Sequence, residues 1–288
     1  MNRKYSRVQK NRRRRKNTRA KRGSIISIRL AVLVILVIFL LSFIYAYFAK
    51  NTHEKYDGLG NRNSYPLNNY DMNSFFRNDS NMKAYDDGKV RGIPGIDVSE
   101  HQGEINWTEV KDFGVRFAMI RLGYSSHGDG SIHDDAQYER NIKQCADKGI
   151  IAGIYFFSQA VTVDEAEKEA NYVADRIRNE RIKGPVAFDM EYVGDYDRIN
   201  TLDKIQRTKI ADAFCTVIKK RGYKAMIYTN PSWVDESLDL SYLTDFDIWL
   251  AQYNEYPTFD YQFIMWQYSE SGTIPGINTP VDLNIYFQ

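Results

Sequence analysis

The chain has 288 residues, 43% hydrophobic and 26% charged, the composition of a globular protein with one full-sized domain and appendages. That hydrophobic content excludes a disordered chain, and two cysteines exclude a disulfide-framed scaffold. The formal net charge of +2 conceals a division: residues 1–29 hold 13 of the 39 Lys and Arg and none of the 37 Asp and Glu, so the remainder is acidic.

The first predicted element is the uncharged run of 19 residues from Leu30 to Phe48. As a helix it would be roughly 28 Å long, against roughly 30 Å of bilayer hydrocarbon. Lys and Arg crowd its N-terminal flank, which predicts a cytoplasmic tail over 1–29 and an extracytoplasmic remainder. A cleaved signal peptide needs a shorter apolar core, about 7–15 residues, and small residues before the cut. Here the run ends in YAYFAK, with Tyr47 where a small residue belongs. A retained, single-pass signal anchor in the cell membrane is therefore expected, with the lipid bilayer as partner through residues 30–48. Beside such a span, RRRRK at 12–16 reads as topology and attraction to anionic head groups rather than nucleic-acid binding.

Residues 49–91 are rich in Asn, Asp, Ser, Gly and Tyr without a helical or strand period, and predict an irregular extracytoplasmic stalk. The folded domain is expected over 92–288. Its strand candidates are 95–99, 116–124, 150–158, 185–192, 224–229, 247–253, 263–269 and 281–287. One helix is predicted over 135–148, stopped by Gly149. A second is opened by Thr162 and Glu165 as a capping box, and buries Ala166, Ala170, Val173 and Ile177 along one face. A third runs from about Thr201 to Arg221. Apolar strands separated by helices predict a covered parallel sheet, hence an α/β class and a (β/α) TIM-like barrel. Short connections between the last three strands make that barrel irregular. A doubly wound open sheet would want a Gly-rich phosphate loop after the first strand, and GIDVSEHQG is not one. Cys145 and Cys215 fall within helices and read as small buried hydrophobes.

In such a barrel, chemistry sits at the C-terminal ends of strands. Asp97 ends the first, Asp189 and Glu191 end the fourth, and Asp282 begins the eighth. Side chains at i and i+2 of a strand share a face, roughly 6.5–7 Å apart along the backbone. Two carboxylates that close repel when both are ionised, so one is expected to hold its proton and serve as a general acid beside a charged partner. Isolated DxE pairs more often cap a loop or face solvent. Tyr124, Tyr155, Tyr228, Trp249, Gln252, Trp266 and Tyr268 lie at or near strand ends and are candidates for sugar contact, with core packing as the alternative for each aromatic. His53, His101, His127 and His133 have no metal-ligand spacing, so no metal or cofactor is expected.

GIDVSEHQGEINW, IRLGYS, GIYFFS, AFDMEY, MIYTN, IWLAQY, MWQYS and VDLNIY occur in this order. Together they resemble the glycoside hydrolase family 25 muramidases, the Chalaropsis-type lysozymes, over about 93–288. The resemblance implies an irregular (β/α) barrel that hydrolyses the β-1,4 bond between N-acetylmuramic acid and N-acetylglucosamine in peptidoglycan. It also implies that Glu191 is the general acid/base, that Asp189 stabilises the reacting centre, and that Asp97 and Asp282 are the other active-site acids. Because N-acetylmuramic acid carries an acetamido oxygen able to attack its own anomeric carbon, substrate assistance with Asp189 orienting that group is the expected route, with a direct nucleophile and a water-mediated inverting route as the alternatives. Two alternatives compete: a hydrolase of another N-acetylated glycan, and an inactive anchored glycan-binding module. The basic arm and stalk also leave room for cell-envelope assembly partners.

Overall fold

The computed structural model describes residues 34–44, 65–180, 182–195 and 197–288. Residues 34–44 are helical with exposed apolar side chains, and among the described residues no helix is long and apolar enough to cross a membrane. The remainder of the predicted anchor and the basic tail lie outside the described residues.

From residue 65 onward the strands are β1 (Phe75–Arg77), β2 (Lys83–Asp86), β3 (Arg91–Val98), β4 (Phe117–Ser125), β5 (Ile132–Asp134), β6 (Ile151–Phe157), β7 (Val186–Asp189), β8 (Ala225–Thr229), β9 (Asp247–Ala251), β10 (Met265–Gly272) and β11 (Val281–Phe287). Strands β3, β4 and β6 to β10 run parallel in that order, while β11 pairs antiparallel with both β10 and β3 and closes the ring. This is an eight-stranded barrel with one reversed strand. Each barrel strand coincides with one of the eight predicted runs.

Helices α1 (Trp107–Phe113), α2 (Tyr138–Lys148), α3 (Val163–Arg176) and α4 (Lys204–Lys220) cover the early strands, and α5 (Pro231–Glu236) is a short one. Gly149 ends α2 in the left-handed region at φ 66°. Thr162 accepts from the Glu165 N–H as predicted. The reciprocal half of the box is displaced, because Glu165 receives the Val161 N–H and pairs with Arg198. The full capping box belongs to α4, built by Asp203 and Gln206.

Strand alternation divides the core in two. Inward residues Phe117, Met119, Ala187, Met226, Trp249, Met265 and Tyr286 fill the barrel. Outward residues such as Ile120, Ile154, Phe188 and Ile227 pack in the larger cluster with Ala170, Val173, Ile210 and Phe214 of the helices. The buried thiols of Cys145 and Cys215 belong to this outer layer and are unbridged. Inward-facing Gly95 leaves room for its neighbour, since a Cβ there would lie 2.3 Å from the Phe117 ring.

The stalk boundary at 92 needs correcting. Residue 92 lies inside β3, and β2 extends the sheet by pairing with that strand through Tyr85↔Gly92. The stretch 65–91 is a strap folded onto the barrel. Tyr65, Met82 and Tyr85 are buried, the Tyr70 ring stacks on Phe287 at 4.2 Å, and Tyr70 donates to the Phe263 carbonyl. Its two strands, of three and four residues, are too short to impose a readable period on the sequence.

Candidate active site

The mouth at the C-terminal ends of the parallel strands opens into a cleft of about 460 Å³. Asp97 on β3, Asp189 at the end of β7, Glu191 just beyond it and Asp282 on β11 all line it. All four predicted acids therefore converge. Asp282 belongs at this mouth although it begins its strand, because β11 runs opposite to its neighbours. Its cross-strand partner is Asp97.

Four acids in so small a space cannot all ionise. Burial, with the neighbouring Glu191 and Asp97, raises Asp189 well above the carboxylate range. Burial and the charge of Asp282 push Glu191 up to about 7. Asp282 rises to about 8 through burial, the charge of Asp97 and a hydrogen bond shared with it. Burial also raises Asp97, against donors from Gln267 Nε2 at 2.9 Å and Asn284 Nδ2 at 2.7 Å. At neutral pH the mouth thus carries fewer negative charges than carboxyl groups, and Glu191, only partly buried where Asp97 and Asp189 are buried, can hold a proton for transfer.

Asp189 is 6% exposed, yet its Oδ1 has no hydrogen-bond partner among the described residues. A buried acceptor left unpaired costs about 1–3 kcal/mol. The carboxyl that carries it lines the cleft.

Below the mouth runs a chain of polar contacts that adds Tyr253, Gln267 and Asn284 to the candidates read in the sequence. Tyr228 and Tyr253 hydroxyls both donate to Gln267 Oε1, at 3.0 and 2.9 Å. Gln267 then donates to Asp97, as does Asn284, whose Oδ1 receives the Trp249 indole N–H at 2.8 Å. Donors on one end of each amide and an acceptor on the other fix its orientation. Period two offered a signal for Asn284, which shares the inward face of β11 with Asp282. Gln267 shares that of β10 with Met265.

The sequence reading also passed over Arg121, which lines the cleft. Its guanidinium is held by Glu100 at 2.9 Å and Asp135 at 2.8 Å, and it lies 5.2 Å above the Tyr124 ring. His127 lines the cleft as well and meets Asp197 at 2.6 Å. Asp197 in turn receives the N–H groups of Val193 and Gly194, which ties down the segment that follows Glu191.

The aromatic candidates divide. Tyr124, stacked on His133 at 5.4 Å, and Tyr155 line the cleft. Tyr228 supports Gln267 from below and leans on Trp249 at 4.8 Å. The remaining four are corrected. Trp249 is 1% exposed, pointing into the apolar barrel. Trp266 and Tyr268 face outward from β10 into the strap, where the Trp266 N–H donates to the Gln252 carbonyl and the Lys83 N–H donates to the Tyr268 hydroxyl. Gln252 uses its side chain to brace a loop through Thr258.

Residues 96–277 match the model of glycosyl hydrolases family 25. The chain belongs to that family. This makes it a glycoside hydrolase by descent, and the four acids occupy the mouth of its barrel. Lysozyme M1 of Streptomyces globisporus is 28% identical over 208 residues, covering 67% of each chain. The uncharacterized protein YegX of Escherichia coli is 29% identical over 202 residues, covering 67% of this chain and 69% of the relative. Among solved structures, the modular autolysin LytC of Streptococcus pneumoniae, in complex with a synthetic peptidoglycan ligand, superposes with a TM-score of 0.62 at 23% identity. That match covers 74% of this chain and 52% of LytC, so the chain spans about half the length of that autolysin.

Proposed function

We propose that this protein is a membrane-anchored muramidase that hydrolyses the β-1,4 bond between N-acetylmuramic acid and N-acetylglucosamine in peptidoglycan. The observation that carries the reading is the convergence of Asp97, Asp189, Glu191 and Asp282 on one cleft at the barrel mouth, with the buried Oδ1 of Asp189 unpartnered among the described residues. Family membership and the likeness to a lysozyme support the substrate class.

In this mechanism Glu191 donates its proton to the glycosidic oxygen as the C–O bond breaks. The acetamido oxygen of the same N-acetylmuramic acid attacks the anomeric carbon, forming an oxazolinium ion. Asp189 Oδ1 accepts the acetamido N–H, so substrate supplies the missing hydrogen bond and favours the ionised form of Asp189, which then stabilises the positive charge that develops on the ring. Water then adds to the anomeric carbon as its bond to the acetamido oxygen breaks, giving up its proton to Glu191. Two displacements return the starting configuration, as in substrate-assisted hydrolases. Asp97, held by Gln267 and Asn284 and hydrogen-bonded to Asp282, keeps its side of the cleft polar and ordered.

The apolar run 30–48 and its basic flank support an anchor with the N-terminus in the cytoplasm and the barrel outside. Cell fractionation should leave the full chain with the membrane, accessible to protease only from the outer side; release into the soluble fraction would refute the anchor. For the chemistry, purified peptidoglycan should yield muramic-acid reducing ends with wild type and almost none with Glu191→Gln. Glucosamine reducing ends would assign a different bond, and inversion at the first-formed product would rule out substrate assistance.

A further inference from the structure

The strap's most buried charged side chain is Lys83, a lysine only 5% exposed and placed before the segment that matches the family model. Buried ammonium groups demand partners. Lys83 Nζ donates to the carbonyl of Asn254 at 2.9 Å and to that of Glu255, and it meets the Glu255 carboxylate at 3.2 Å. It also lies 5.0 Å from the Trp266 ring and 5.5 Å from the Tyr268 ring, both of which attract a cation. The bonded carbonyls belong to the β9–β10 connection, where they lie outside any strand. Elsewhere the strap holds the same connection through backbone: Gln262 donates to Pro66, and Asn68 to Asp260.

What this connection carries is Tyr253, the residue immediately before the first carbonyl that Lys83 binds. Tyr253 is half exposed, and its hydroxyl donates to Gln267 Oε1, one step from Asp97. The charges of Asp282 and Glu270 act on its hydroxyl, which sets it beside the acidic mouth. We propose that Lys83 is a positioning residue for the active site: by fixing the backbone at Asn254 and Glu255 it holds Tyr253 against Gln267, and thereby orders the Asp97 side of the cleft. The part of the predicted stalk from residue 65 onward is on this account a working part of the hydrolase. This inference rests on the reading of the cleft as a muramidase site.

The ammonium, rather than the ion pair, carries the effect. The Glu255 side chain is 64% exposed, and exposed pairs contribute little. Because Tyr228 also donates to Gln267, loss of Tyr253 weakens the network without abolishing it.

The experiment uses the full chain with Lys83→Met, Lys83→Arg, Glu255→Gln, Tyr253→Phe and the Lys83→Met/Tyr253→Phe double variant. Lys83→Met should speed amide hydrogen exchange across residues 252–258 by about 10-fold or more while β4 and β6 stay protected. It should lower kcat/KM on peptidoglycan about 5-fold, as should Tyr253→Phe. The double variant should be no worse than about the larger single loss, because both act through one contact. Lys83→Arg keeps the cation and should remain within about 2-fold of wild type, as should Glu255→Gln. Unchanged exchange at 252–258 in Lys83→Met, or losses that multiply to about 25-fold in the double variant, would overturn the proposal. If Lys83→Met does not fold, Lys83→Arg with loosened exchange and normal kcat/KM would overturn it equally. Peptidoglycan left intact by wild type would instead defeat the muramidase reading, with the exchange data still deciding whether Lys83 holds the connection.

Discussion

Deep in the barrel the inward positions are taken by Phe117, Met119, Met226, Trp249 and Met265; at the mouth the same alternation delivers Asp97, Asp189 and Asp282. On two strands the regions meet directly: Ala187 and Tyr286 of the lower barrel stand two and four residues from Asp189 and Asp282. In the lower region every buried side chain adds apolar contact and removes water from hydrocarbon. At the mouth, burial forces carboxyl groups to keep protons and leaves the Asp189 Oδ1 unpaired. The lower barrel is arranged for stability. The mouth accepts a stability cost for chemistry, so the two should respond oppositely to substitution.

The largest separation should come from Glu191→Gln. Removing the general acid should lower kcat by about 10²-fold or more, while the thermal midpoint holds or rises as repulsion among the acids is relieved. A matched loss of midpoint would show that Glu191 belongs to the structural region. In the lower barrel, Met226→Ala should cost about 2–5 kcal/mol in urea unfolding and leave the activity of the folded fraction intact.

Glu169 sharpens the comparison through pH. It is buried on α3 between the hydroxyls of Ser125 and Ser158, and burial raises it from 4.5 to about 7. A carboxyl with a raised folded value binds more protons folded than unfolded between those two values. Its contribution is therefore fully present below about 4.5 and is lost as pH climbs to about 7. The raised mouth acids act in the same direction. Urea midpoints should fall across that window, and Glu169→Gln should make the decline shallower; an unchanged slope would remove Glu169 from the set.

The smallest effects should separate the two kinds of aromatic. Tyr124→Ala should raise KM several-fold with little change in stability. Tyr268→Phe should leave KM alone and cost about 1 kcal/mol through the hydrogen bond lost to Lys83.

Much of this was legible before the structure. All eight barrel strands announced themselves as apolar runs, and the four acids as carboxyls at strand ends. Strand direction was not legible, since hydrophobic alternation reads the same from either end; only the reversed β11 explains how Asp282 opens a strand yet reaches the mouth. Nor was facing. Trp249 and Trp266 both occupy promising strand ends, but one turns into the barrel and the other out towards the strap, a choice set by pairing register. The strap escaped notice because its order comes from tertiary partners such as Phe263 and Phe287, remote in sequence.

The central claim is that the mouth holds Glu191 protonated near neutrality. Carboxyl-carbon NMR titration of wild type labelled at glutamate side chains tests it most directly, with the Glu191 signal assigned by its absence in Glu191→Gln. That assignment also separates it from Glu169, which titrates in the same range. A Glu191 midpoint of about 7 is the result expected here. A midpoint at the ordinary glutamate value of 4.5 would contradict it, leaving no proton on Glu191 to give the glycosidic oxygen at neutral pH.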